Sequence, residues 1–181
     1  GIEPKKISVV RHGLEAAFDG ETTSSDALRR QFGLGSGPVL VYPAITHPHK
    51  NHAFLMHLMA SGEGRWADPS LRLICMGSQG SAHDDVLQLI DVLGLGNRVV
   101  MSGRVSNADR NGLLAMAEAM VFPSEYEGFG APVIEAMRCG TFLHDRQQFF
   151  AKRAVVITHG DFFAFELVPA TGLFSDVLQE H

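Results

Sequence analysis

The chain has 181 residues, 45% of them hydrophobic and 19% charged, with a formal net charge of −5, enough to bury a substantial core, and residues 1–181 read as a single domain. An acidic balance excludes a basic nucleic-acid surface, so an anionic ligand would have to be held locally by a few amides and one or two cations. No apolar run approaches the ~20 residues of a bilayer-spanning helix, and Gly1–Lys6 has no apolar stretch behind its basic residues; the sequence reads as a cytoplasmic protein without a transmembrane segment.

Val39–Pro43 follows a Gly35-Ser36-Gly37-Pro38 break and is a short continuous apolar run, which predicts a buried strand. A helix follows over about 51–61, with Phe54, Leu55, Leu58 and Met59 on one face. Asp68-Pro69-Ser70 marks a turn before a second strand, Leu71–Gly77. The next helix covers about 84–93, with Val86, Leu89, Ile90 and Leu93 at helical spacing and Gly94 placed to end it. Arg98–Gly103 reads as a third strand. Ser106, with Asp109 three positions on, opens a helix reaching about Ala117. Ala119–Pro123 reads as a fourth strand, and Pro132 suits the first turn of a helix that Gly140 stops. Cys75 and Cys139 form no CxxC pattern and read as buried free thiols.

Strands alternating with helices require right-handed crossovers, giving an α/β fold whose parallel sheet carries helices on both faces. Ligands of such sheets bind outside the carboxyl ends of the strands, which here means the loops after Pro43, Met76, Met101 and Phe122.

The segment Pro123–Met137 carries the most chemistry: a strand end, a loop flanked by Gly128 and Gly130, and a helix start. The glycines let backbone amides come close to a ligand, and amides at a helix N-terminus favour phosphate. Glu127 and Glu135 flank this anion site. Negative charge beside a phosphate is tolerable where each carboxylate accepts from hydroxyls, in which sugars and riboses are rich.

The run Glu127-Gly128-Phe129-Gly130, with Pro132, Glu135 and Ala136 following, resembles the signature of glycosyltransferase family 4. The resemblance implies a Rossmann-like domain, the C-terminal half of the two-domain GT-B fold. It implies Glu127 near the transferred sugar, Glu135 on the ribose hydroxyls, and the Gly128, Phe129 and Gly130 amides on the diphosphate. Ile7–Leu14 resembles the linker strand opening that half. His47–His52 resembles the loop whose lysine, here Lys50, contacts the diphosphate. Leu73–Gly77 and Val99–Val105 resemble the strand ends around phosphate and base, so the backbone of Gly103, Arg104 and Val105 would receive the base. Many relatives carry an arginine about six residues before the lysine, where Ala44 stands.

His47, His49, His52 and His57 raise the question of a metal, but their spacing does not converge on one and no Cys or carboxylate joins them. No Asp-x-Asp occurs, which fits stabilisation of the leaving diphosphate by lysine and helix dipole. The expectation is a retaining, metal-independent hexosyltransferase of the kind that builds polysaccharides. Its donor is a UDP-, GDP- or ADP-sugar, and no further cofactor is expected. A preceding N-terminal domain would bind acceptor, with any peripheral membrane contact made there. After Thr141 the family pattern breaks; residues 142–153 read as an insertion or as divergence, with Ala154–Thr158 resuming the strand. Two alternatives share the features so far: another GT-B sugar-nucleotide enzyme, of epimerase or phosphorylase type, and a non-catalytic module with a degenerate site.

Overall fold

The computed structural model describes residues 20–126. Helix α1, Ser25–Phe32, starts where the Ser24 side chain accepts from the Ala27 amide and ends at Gly33, whose φ of 64° is left-handed. The sequence reading placed no helix here. The apolar stripe of α1 is only Leu28, buried, and Phe32 one turn on, half-buried against the core, which is too few positions within eight mostly polar residues to mark a helix.

The remaining elements follow the expected alternation: β1 (Val39–Pro43), α2 (His52–Ala60), β2 (Arg72–Met76), α3 (His83–Val92), β3 (Val99–Gly103), α4 (Asn107–Met116) and β4 (Ala119–Met120). Two short 3-10 turns, Pro48–Lys50 and Gly64–Ala67, flank α2. The signals that set these boundaries act as expected. Asp68 Oδ1 accepts from the Ser70 amide at 2.8 Å in the turn before β2. Gly94 takes a φ of 66° just beyond α3. Ser106 Oγ accepts from the Asp109 amide at 3.0 Å at the start of α4. β4 is shorter than Ala119–Pro123. Val121 still donates to the Val41 carbonyl at 2.9 Å, and Pro123 then offers no amide to continue the ladder.

All pairings are parallel, and the described strands run in the order β3-β2-β1-β4. The centre of the sheet is Val41, flanked by Ile74 on one side and Met120 on the other, all buried. Right-handed crossovers from β1 to β2 to β3 place α2 and α3 on one face, where they pack together. The return from β3 across the sheet to β4 places α4 on the other face, against α1. Leu55, Met56 and Met59 fill one layer of the core, and Leu28, Leu113 and Leu114 the other. Cys75 is a free thiol buried in β2, and burial pushes it up to about 12, so it stays un-ionised; Cys139 lies outside the described residues.

Because β2 and β4 lie on opposite sides of β1, the winding direction reverses between β1 and β4. The carboxyl ends of the strands at such a reversal are the position where open α/β sheets bind ligands.

Candidate functional site

Two loops meet at that position, residues 44–51 after β1 and residues 121–126 after β4, and they are tied together. Tyr42, fully buried at the end of β1, donates its hydroxyl to the Lys50 carbonyl at 2.5 Å and lies 3.2 Å from Ser124 Oγ. The Glu125 amide donates to the His49 carbonyl at 2.8 Å. Above these bonds the rings of His49 and Tyr126 stack with centroids 4.7 Å apart, and His47 stacks on His49 at 5.9 Å. Lys50 closes the 3-10 turn, and Asn51 then takes a left-handed φ of 55° before α2 begins. The lysine expected at the diphosphate thus lies in the loop at the switch point, two residues ahead of the first residue of α2.

The loop after β2 packs onto the same place. A side chain at Gly77 would collide with the Ala44 carbonyl, and a Cβ at Gly80 would stand 2.6 Å from the Thr46 carbonyl oxygen. Only glycine permits this approach, and backbone bonds exploit it. Thr46 donates to the Ser78 carbonyl at 3.3 Å, Ala82 to the Thr46 carbonyl at 2.9 Å, and Gly80 to Thr46 Oγ1 at 2.8 Å. The Gly77 amide donates to the Gly103 carbonyl at 3.0 Å, joining β3 to the set. Of the predicted base-binding residues, Gly103 takes a φ of 68°, Arg104 is exposed and Val105 is half-buried. They lie two strands from β1, about 10 Å away at ordinary strand spacing.

Beneath Lys50 sits His52, only 2% exposed, with both ring nitrogens lacking a hydrogen-bond partner and its ring 4.7 Å from that of Tyr42. Burial first, then the nearby His83 and Lys50, lowers its pKa to about 4, so the imidazole is neutral near pH 7. Its role, and that of Tyr42 as the brace between loops, were not read from sequence. Both depend on contacts across the sheet, and the only local signal was the polar tyrosine closing an apolar strand. Among the described residues no group of three or more His, Cys, Asp or Glu could hold a metal ion.

A depression of about 580 Å³ opens at the opposite, amino edge of the sheet, between Arg29, Arg65, Asp68 and Glu118. Its charges are largely engaged: Arg29 donates to the Gly35 and Gly37 carbonyls, and Arg65 pairs with Glu118. The carboxyl edge is therefore the candidate site. Glu127, Gly128, Phe129, Gly130 and Glu135, together with Ile7–Leu14 and the helix expected from Pro132, lie outside the described residues.

Comparison with known proteins places this geometry. D-inositol 3-phosphate glycosyltransferase of Kineococcus radiotolerans is 29% identical over 148 residues, covering 78% of this chain and 34% of that protein. The crystal structure of Anabaena HepE in complex with UDP and glucose superposes with a TM-score of 0.55 at 25% identity, over 68% of this chain and 34% of that one. WaaG, a glycosyltransferase involved in lipopolysaccharide biosynthesis, shares the fold with a TM-score of 0.62 at 18% identity, over 76% of this chain and 37% of that one. The chain spans about a third of the length of the curated relatives it matches. The fold is thus the Rossmann-like half of a GT-B architecture. The description "Glycosyl transferases group 1" matches residues 24–143, from the cap of α1 through the sheet and past the loop after β4, and on that match the chain belongs to the group 1 glycosyl transferases.

Proposed function

We propose that this chain is the donor-binding half of a two-domain, metal-independent retaining glycosyltransferase, and that it holds a UDP-, GDP- or ADP-sugar along the carboxyl edge of its sheet. The observation that carries the reading is the placement of Lys50 at the β1/β4 switch point, fixed by the Tyr42 hydroxyl on its carbonyl and by the Glu125–His49 bond. In this reading Lys50 and the Gly128, Phe129 and Gly130 amides neutralise the diphosphate, which is also the leaving group. Stabilisation of that developing charge is the main catalytic contribution of this half. The backbone of Gly103, Arg104 and Val105 receives the base, and Glu135 accepts from the ribose hydroxyls. Glu127 positions the sugar and stabilises positive charge at the reacting carbon, without serving as a covalent nucleophile. A nucleotide laid from β3 to β1 spans the roughly 10 Å between base and phosphate positions. The UDP complexes of HepE support a nucleotide ligand at such a fold. The acceptor, a catalytic histidine and any peripheral membrane contact belong to an N-terminal domain, and the protein works in the cytoplasm.

Thermal melting of the 181-residue chain with UDP, GDP and ADP tests the reading. A ligand at one hundred times its Kd stabilises by about 2.7 kcal/mol, and the Lys50→Ala chain should lose that shift while melting normally without ligand. No shift with any of the three nucleotides would sink the proposal.

A further inference from the structure

Among the described residues, few arginines and lysines stand at the carboxyl edge. Arg29, Arg72 and Arg98 spend their guanidinium groups on backbone carbonyls around the amino ends of the strands, and Arg65 on Glu118. On the carboxyl edge the described residues supply Lys50 and, two strands away, Arg104 with Arg110 in the first turn of α4. A nucleotide-sugar diphosphate carries two negative charges. The same segment carries imidazoles: His47 and His49 on the loop of Lys50, and His83 at the start of α3, with its Nδ1 3.4 Å from Thr46 Oγ1.

His47 and His49 are built in rather than loose. The face of His49 lies against Tyr126 with planes 18° apart, and His47 against His49 at 22°. Stacking occupies ring faces and leaves the in-plane nitrogens to hydrogen-bond. His47 Nδ1 lies 3.4 Å from the Ser81 amide and 3.3 Å from Ser81 Oγ, so it has a partner as acceptor when the ring is neutral and, in the serine oxygen, a partner as donor when the ring is protonated. An imidazolium stacked on tyrosine also gains from the ring quadrupole. We propose that His47 and His49 bind the donor diphosphate together with Lys50, taking up protons from solvent as the anion arrives. The inference rests on the donor-site reading above.

The titratable and charged groups on the elements packed against the pair are Lys50 on their own loop, His83, Asp84 and Asp85 from α3, and Glu125 and Tyr126 from the loop after β4. His52 lies beneath and stays neutral. Imidazole is the side chain whose ordinary titration falls between about pH 5 and 8, whereas the diphosphate of a nucleotide-sugar keeps the same charge across that interval. Any gain in affinity on acidification is then assignable to the protein.

The experiment is calorimetric titration of UDP-glucose, GDP-mannose and ADP-glucose into the 181-residue chain at pH 6 and pH 8, in buffers of different ionisation enthalpy so that protons are counted. At least one probe should bind about three- to tenfold more tightly at pH 6, with net proton uptake. The His47→Gln, His49→Gln double variant should lose that gain, and Lys50→Ala should lose affinity at both pH values. Binding without proton uptake in the unmodified chain, or an undiminished pH 6 gain in the double variant, overturns the histidine assignment and leaves the donor site standing. Failure of all three probes to bind at either pH overturns both. The proton count on the unmodified chain decides the matter even if the double variant folds poorly.

Discussion

A buried imidazole that hydrogen-bonds through neither nitrogen is stable only while uncharged, and His52 is in that state at 2% exposure. Its folded pKa of about 4 lies below the ordinary histidine value near 6.5. The unfolded chain therefore binds a proton that the folded chain refuses as pH falls from about 6.5 toward 4. The sign is destabilisation on acidification, reaching about 3 kcal/mol at the low end. His52→Leu should remove this dependence: urea midpoints at pH 5 should rise relative to the unmodified chain, with little change at pH 8. A midpoint gap that stays constant with pH would refute the account. Tyr42 acts in the same small volume through its hydroxyl. Tyr42→Phe keeps the buried ring but strands the Lys50 carbonyl and Ser124 Oγ, at a cost of about 1–2 kcal/mol. Faster amide exchange at Glu125 and Tyr126 would show that the brace between the two loops had gone.

At the scale of elements, the site depends on how closely the loops after β1 and β2 approach. Gly77 has no room for a Cβ against the Ala44 carbonyl, which is backbone and cannot rotate away. Gly77→Ala should destabilise by about 2 kcal/mol or more. It should also weaken nucleotide binding beyond that loss, because the displaced segment leads directly to Lys50; Gly96→Ala, where the added methyl meets open space, is the control. The sequence made much of this frame legible. Continuous apolar runs marked β1, β2 and β3 to within a residue or two, and the Ser106–Asp109 spacing marked the start of α4 because capping is local chemistry. α1 escapes a sequence reading because its apolar stripe is only two residues, Leu28 and Phe32, in a short and mostly polar segment. β4 was read too long because apolar character persists through Val121 and Phe122 after the ladder ends. Within the site, Lys50 could be located from its motif and His47 and His49 stood out as a local pair, whereas their stacking partner Tyr126 lies 77 positions beyond His49 and leaves no local pattern.

For the whole molecule, the reversal of winding between β1 and β4 concentrates every candidate donor contact among the described residues on one edge of one sheet. In the donor-site reading proposed above, that edge holds a charged nucleotide. The described residues offer no second wall to exclude water or orient an attacking hydroxyl, and the chain spans about a third of the curated relatives' length. Correct placement of two reactants accounts for about 7–11 kcal/mol of a barrier, and in enzymes that close around their substrates this placement arises on closure. The 181-residue chain should therefore bind donor without transferring sugar: with a radiolabelled nucleotide-sugar and a panel of hydroxyl acceptors, product should remain at the level of a protein-free control. Adding the proposed N-terminal domain, on the same polypeptide, should raise transfer by several orders of magnitude while changing donor affinity far less, because the added half contributes chiefly to the transition state. Turnover by the 181-residue chain at ordinary enzymatic rates, roughly 1–1,000 per second, would show that this edge already contains what the reaction needs and would end the two-half account.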